Sequence, residues 1–120
     1  MSKLDQSKAP FLDAVKKYLS SERYQFDVPG HQRENVPNEL NNFVGGRMFD
    51  FDINAPYGLD NLAHPTGVLL EAEKLMADFT GADDAFFLIN GTSSGIIAMI
   101  MSACRANEKI MLPRNVHKSV

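Results

Sequence analysis

Apolar residues recur at helical spacing in two stretches of the chain, and between those stretches they lose any sustained period. In the first stretch Phe11, Leu12, Val15, Tyr18 and Leu19 share one face, with Lys16 and Lys17 on the other. This spacing predicts a short amphipathic helix, and Pro10 suits its first position, where a helix leaves the N–H unpaired in any case. Tyr24, Phe26 and Val28 then alternate with polar residues, which predicts an extended segment stopped by Pro29-Gly30. Residues 31 to 65 carry Pro37, Gly45, Gly46, Pro56, Gly58 and Pro65 among several Asn and Asp. They read as an irregular arm with short pieces of structure, too long for a routine connection and therefore expected to be functional or packed on something else.

From Thr66 the pattern becomes regular. Val68, Ala72, Leu75, Met76 and Phe79 mark one face of a helix, with Glu71, Lys74 and Asp78 opposite. Thr66 is placed to cap its N-terminus and Gly81 to end it. "AFFLIN", residues 85 to 90, is a short continuous apolar run, as in a strand buried on both faces. "GIIAMIMSACRA", residues 95 to 106, is apolar nearly all round and predicts a buried helix. "KIMLP" reads as a second strand and "RNVHKSV" as a loop leading towards another helix. Strand, helix, strand with short connections implies parallel strands and a right-handed crossover. The expected fold class is therefore α/β. Two strands cannot cover the apolar surface of such a sheet, so the chain is expected to be the N-terminal part of a larger α/β domain.

Bulk composition narrows the classes. At 120 residues, 44% hydrophobic and 22% charged, the chain has the profile of a soluble one-domain protein. A net charge of -3 gives no basic face for nucleic acid, and no apolar stretch is long enough to span a bilayer. The first ten residues have no apolar core of a secretory signal, and the single Cys104 excludes an internal disulfide, so a reducing cytoplasm is expected. Cys104 falls in the apolar helix pattern and reads as a core residue. His31, His64, His117 and Cys104 have no zinc-site spacing, so no metal site is expected. Asp50, Asp52, Asp83 and Asp84 read as loop and turn residues without the context of an acid–base pair.

The candidate chemistry lies after the first expected strand. In a parallel α/β unit, ligands bind at the carboxyl ends of the strands. There Gly91-Thr92-Ser93-Ser94-Gly95 opens a helix. A helix N-terminus presents unpaired N–H groups and the positive end of its dipole to a phosphate. The glycines allow close backbone approach and the hydroxyls add donors. The loop has neither a Walker lysine nor a dinucleotide fingerprint, so a smaller phosphate ligand is expected. On spacing alone, a serine-capped turn and a phosphate cradle stand level. The second strand would end near Pro113, bringing Arg114, Asn115, His117, Lys118 and Ser119 to the same sheet edge. An imidazole there can stack on a planar ring, donate a hydrogen bond or exchange a proton, although a surface histidine reads equally from the residues. Lys118 invites a Schiff-base role, but a solvated or phosphate-facing lysine fits as well. Asp60 and His64 read either as a site edge or as turn residues leading into the helix from Thr66.

Taken together, "FDVPGHQ", "GLDNLAHPTG", "EAEKLMADFTGADDAFFLINGTSSGIIAMI" and "KIMLPRNVHKSV" resemble the N-terminal part of the ornithine/lysine/arginine decarboxylases. The likeness runs from about Tyr24 to Val120 and is most similar to the bacterial biosynthetic arginine decarboxylase branch. It implies a fold-type-I, aspartate-aminotransferase-like large domain beginning at residues 66–120, with residues 1–65 as a preceding helix and arm. It implies pyridoxal 5'-phosphate as cofactor and decarboxylation of a basic amino acid (arginine, lysine or ornithine) to an amine or polyamine precursor. A homodimer or higher homo-oligomer is implied too, with the arm a candidate for that contact. By motif position Thr92 and Ser93 match the phosphate-holding residues, with Gly91 and Ser94 beside them, and His117 matches the histidine that stacks on the pyridine ring. Lys118 does not match the Schiff-base lysine, which belongs to a Ser-x-His-Lys motif far downstream; the aspartate that pairs with the pyridine nitrogen is also implied to lie downstream. The chain alone is therefore expected to be inactive. It departs from the family pattern at "PGHQ", usually Pro-Gly-His-Lys, and at "ANEK" (106 to 109), usually Pro-Gly-Asp-Lys. The first puts in doubt any role for a lysine at position 32. The competing expectations are another fold-type-I enzyme, such as an aminotransferase or lyase, and a non-catalytic interaction fragment.

Overall fold

The computed structural model describes residues 4–26, 28–118 and 120. Four α-helices form, namely α1 (Pro10–Leu19), α2 (Asn38–Val44), α3 (Val68–Thr80) and α4 (Gly91–Ala103), with a 3₁₀ turn at Met48–Asp50. The backbone divides into two units, Met1–Ala85 and Phe86–Val120.

In the first unit α1 packs on α3. Pro10 opens α1 as its pattern predicts, and Val15 and Tyr18 point inward to meet Leu59 from the arm, with Ala14, Leu19 and Ile53 at the margin. Leu59 is the most enclosed residue of the group, at 2% exposure. The N-terminal segment is tied to α3 by Asp78, whose carboxylate accepts the Leu4 N–H at 3.0 Å and the Gln6 side-chain amide at 2.9 Å. The arm holds short pieces of structure, α2 and the 3₁₀ turn, between turns.

α3 departs from expectation in two respects. It starts at Val68, and Thr66 does not cap it with its hydroxyl; the carboxylate of Asp60 does that work from outside the helix. Its buried residues are Leu69, Glu73, Leu75 and Ala77, while Met76 and Phe79 are exposed. Leu75 belongs to the expected face, and apolar residues surround enough of this helix that Leu69 and Ala77 beside that face are enclosed as well. Gly81 ends the helix in the left-handed conformation, φ 73°, with its N–H bonded to the Ala77 carbonyl.

The second unit does not form the strands that the expected α/β class calls for. Among the described residues there is no strand. Residues 86–90 and 109–113 take no strand conformation, and Tyr24, Phe26 and Val28 are likewise irregular. Neither apolar run is buried, with Phe86 77% and Met111 97% exposed. A strand buried on both faces needs paired neighbours and covering helices, and the described residues do not supply them. α4, expected to be buried, has no buried residue for the same reason. It also begins earlier than its apolar pattern, so the Gly91–Ser94 stretch is its first turn and not a separate loop. Cys104, read as core, is half-buried just past the C-terminus of α4.

Candidate functional site

Gly91 takes φ +75° where the chain enters α4, a conformation a side chain would strain, and no atom lies close to where its Cβ would be. The helix-facing backbone is therefore open on that side. Asn90 stands at the N-cap but makes no side-chain cap bond. A helix start without a side-chain cap has N–H groups to offer an anion, and the dipole favours negative charge there. Thr92 and Ser93 are exposed in this first turn. Ser94 differs from them: its hydroxyl donates to the Gly91 carbonyl at 2.8 Å, so it is spent inside the helix. Gly95 is held small by crowding, because a Cβ there would overlap the Leu88 side chain. The absent Cβ lets segment 86–90 lie close against α4.

These residues are brought together by one helix turn. His117 and Lys118 lie apart from that turn in sequence, on an exposed segment of turns, where the Val116 N–H bonds to the Pro113 carbonyl at 3.1 Å. The sheet edge expected to bring His117 to the loop is not formed among the described residues. Its expected placement beside Gly91–Ser94 thus rests on motif position alone. Ser119 lies outside the described residues.

Two polar constellations lie in the first unit, and at Asp60 the structure gives the reading of a turn residue leading into the helix. Asp60, in the left-handed region at φ 67°, accepts N–H groups from Asn61 (2.9 Å), Thr66 (3.0 Å), Gly67 (2.7 Å) and Leu69 (3.1 Å). Desolvation works to raise its pKa, but the N–H groups of Thr66, Asn61, Gly67 and Leu69 outweigh it and hold the carboxyl well below the usual aspartate range. Asp60 is thus a capping group. His64, whose N–H bonds to the Asn61 carbonyl at 3.0 Å, is an exposed residue of the turn Asp60 braces. The second constellation surrounds His31, whose Nε2 lies 3.2 Å from Asp52 Oδ2 and whose Nδ1 accepts the Arg33 N–H at 2.9 Å. Phe49 meets the ring edge-on at 5.2 Å between centroids. The Asp60 cap reaches over six to nine residues, unlike the three-residue spacing of a capping box, and the His31–Asp52 pair spans twenty-one, so neither leaves a local signature.

The family model for the Orn/Lys/Arg decarboxylase major domain matches residues 9–120. The chain belongs to the Orn/Lys/Arg decarboxylase family. It is 40% identical to arginine decarboxylase of Bacillus anthracis over 121 aligned positions, covering 100% of this chain and 24% of that protein. It is 36% identical to arginine decarboxylase of Bacillus subtilis, covering 98% of this chain and 24% of that one. With the constitutive lysine decarboxylase of Escherichia coli it shares 32% identity over 98% of this chain and 17% of that protein. The chain thus spans about a quarter or less of the length of these relatives. No solved structure matches the chain significantly. Among the described residues no helix is long and apolar enough to cross a membrane.

Proposed function

We propose that this chain is the N-terminal part of a pyridoxal 5'-phosphate-dependent decarboxylase of a basic amino acid, in which residues 66–120 open the cofactor-binding major domain and residues 1–65 form a preceding helix and arm. The observation that carries this reading is the family match across residues 9–120, with arginine, lysine and ornithine decarboxylases among the relatives. Arginine is the favoured substrate, because the relatives at 36–40% identity include arginine decarboxylases whereas the lysine and ornithine enzymes stand at 31–32%.

The first turn of α4 fits the phosphate end of the cofactor. It has an open backbone at Gly91, no side-chain cap of its own, and the exposed hydroxyls of Thr92 and Ser93. In this reading those N–H and hydroxyl groups hold the phosphate dianion, and His117 stacks on the ring. When bound, the cofactor withdraws electrons from the substrate Cα as carbon dioxide leaves. The lysine that binds the cofactor covalently and the partner of its ring nitrogen are assigned to sequence beyond residue 120. The active assembly is a cytoplasmic homo-oligomer, and the 120 residues alone release no carbon dioxide.

The test uses a chain of the relatives' full length carrying this segment. With cofactor added, it releases carbon dioxide from arginine in preference to lysine and ornithine, and H117A lowers that rate. Amino-group transfer without carbon dioxide release would favour an aminotransferase and overturn the reading.

A further inference from the structure

Hydrogen bonding at His31 fixes the state of its ring. Nδ1 accepts the Arg33 N–H at 2.9 Å and therefore carries no proton. The neutral ring must then hold its hydrogen on Nε2, from which it donates to Asp52 Oδ2 at 3.2 Å. The imidazole is largely enclosed, with 16% of the side chain exposed. Both nitrogens are spent, so His31 has no free one with which to serve a substrate.

The bond to Arg33 holds an unusual backbone in place. Gln32 and Arg33 are consecutive non-glycine residues in the left-handed region, at φ 47° and 65°. Side chains adopt that conformation at a cost, which the surroundings must offset. The loop's other backbone ties are the Gln32 N–H to the Pro29 carbonyl (3.1 Å) and the Glu34 and Asn35 N–H groups to the His31 carbonyl (3.1 and 2.7 Å). Among the described residues, the charged and titratable groups that line this space with His31 are Asp52 from the segment after the 3₁₀ turn, Arg33 from the loop, and Tyr18 from α1. The Arg33 guanidinium lies 5.8 Å from the Tyr18 ring centre, and the Tyr18 hydroxyl accepts from the Gln25 side chain. The space these groups enclose is about 10 Å³, too small for any ligand but water.

A second proton on His31 must go to Nδ1. It then faces the Arg33 N–H, donor against donor, and the bond that holds Arg33 is lost. The same proton turns the Asp52 contact into an ion pair, so the ring stays anchored to Asp52 while the loop is freed. We propose that the Pro29–Asn35 loop is a proton-operated conformational switch, set in its left-handed form by neutral His31 and released when His31 is protonated.

Nitrogen-15 NMR of the histidine-labelled chain, with backbone amide exchange, tests this between about pH 8 and pH 5, the range in which imidazoles commonly titrate. At the upper end His31 shows the Nε2–H tautomer and the Arg33 amide is protected. As His31 protonates, Arg33 exchange rises about fivefold beyond its intrinsic pH dependence, the loss expected for one hydrogen bond. Amides of α1 and α3 keep their protection, and titration of His64 and His117 leaves Arg33 unmoved. An Nδ1–H tautomer at high pH, an unprotected Arg33 amide throughout, protection that survives His31 protonation, or simultaneous loss across α1 and α3 would each overturn the proposal.

Discussion

The Asp60 carboxylate accepts the Gly67 N–H at 2.7 Å, closing a loop of seven residues onto the start of α3. A Cβ at Gly67 would sit 3.4 Å from the same Asp60 oxygen, within ordinary van der Waals contact. The carboxylate thereby supplies the acceptor that neither Thr66 nor Gly67 provides from within the helix start, and its negative charge complements the helix dipole.

Replacing that carboxylate should loosen α3 from its N-terminus. D60A is expected to lower the melting temperature and reduce helical circular dichroism, with D60N in between because its amide oxygen still accepts. The pH dependence has a definite sign. A carboxyl held below its ordinary value stabilises the fold above that value, 3.8, and the contribution is lost as pH falls from there towards the folded-state value. In D60N this acid-side loss should shrink; an unchanged acid limb in urea melts would refute the role given to Asp60.

The core of the first unit is small enough to hinge on one side chain. Leu59 is 2% exposed against Val15 and Tyr18. L59A removes its buried methyl groups and leaves a cavity, at a cost of about 3 kcal/mol. M111A, at a residue 97% exposed, should change stability by less than about 0.5 kcal/mol. Urea titration monitored by helical signal separates the two.

α1 and α3 were legible because a helix is a local object: Pro10, the apolar spacing and Gly81 lie within the segment they organise. The buried set of α3 was less so, since Met76 and Phe79 fit the same period as the buried Leu75 and are nevertheless exposed. Strands are not local. The runs at 86–90 and 109–113 have the composition of buried strands, but pairing depends on backbone from elsewhere. The phosphate-loop candidate was legible as a motif, while its merger into the first turn of α4 was not, because Gly-Thr-Ser-Ser serves equally as loop or helix start.

Gly95 and Leu88 form a pair whose coupling can be measured. Alanine in a helix interior is worth about 1 kcal/mol over glycine. At position 95 that gain is opposed by overlap of the new Cβ with the Leu88 side chain. G95A should therefore stabilise α4 little in the wild-type background and by about 1 kcal/mol in L88A. Equal effects in the two backgrounds, read by circular dichroism in a double-mutant cycle, would show that Leu88 does not constrain this position.

The hydroxyls of α4 should divide by how they are already engaged. Ser94 donates to the Gly91 carbonyl at 2.8 Å, whereas Thr92 and Ser93 are exposed in the same turn. If the turn holds a phosphate dianion, each hydroxyl bonded to it contributes about 1.5–3 kcal/mol, a loss of roughly tenfold to a hundredfold in affinity when removed. In a full-length chain T92A and S93A are therefore expected to weaken retention of pyridoxal 5'-phosphate by at least about tenfold. S94A should stay within about threefold, since it removes only a bond inside the helix. Cofactor dissociation followed by absorbance gives all three values. A larger loss for S94A than for T92A and S93A would mean that the helix turn reorganises around the phosphate and that the hydroxyl assignment is wrong.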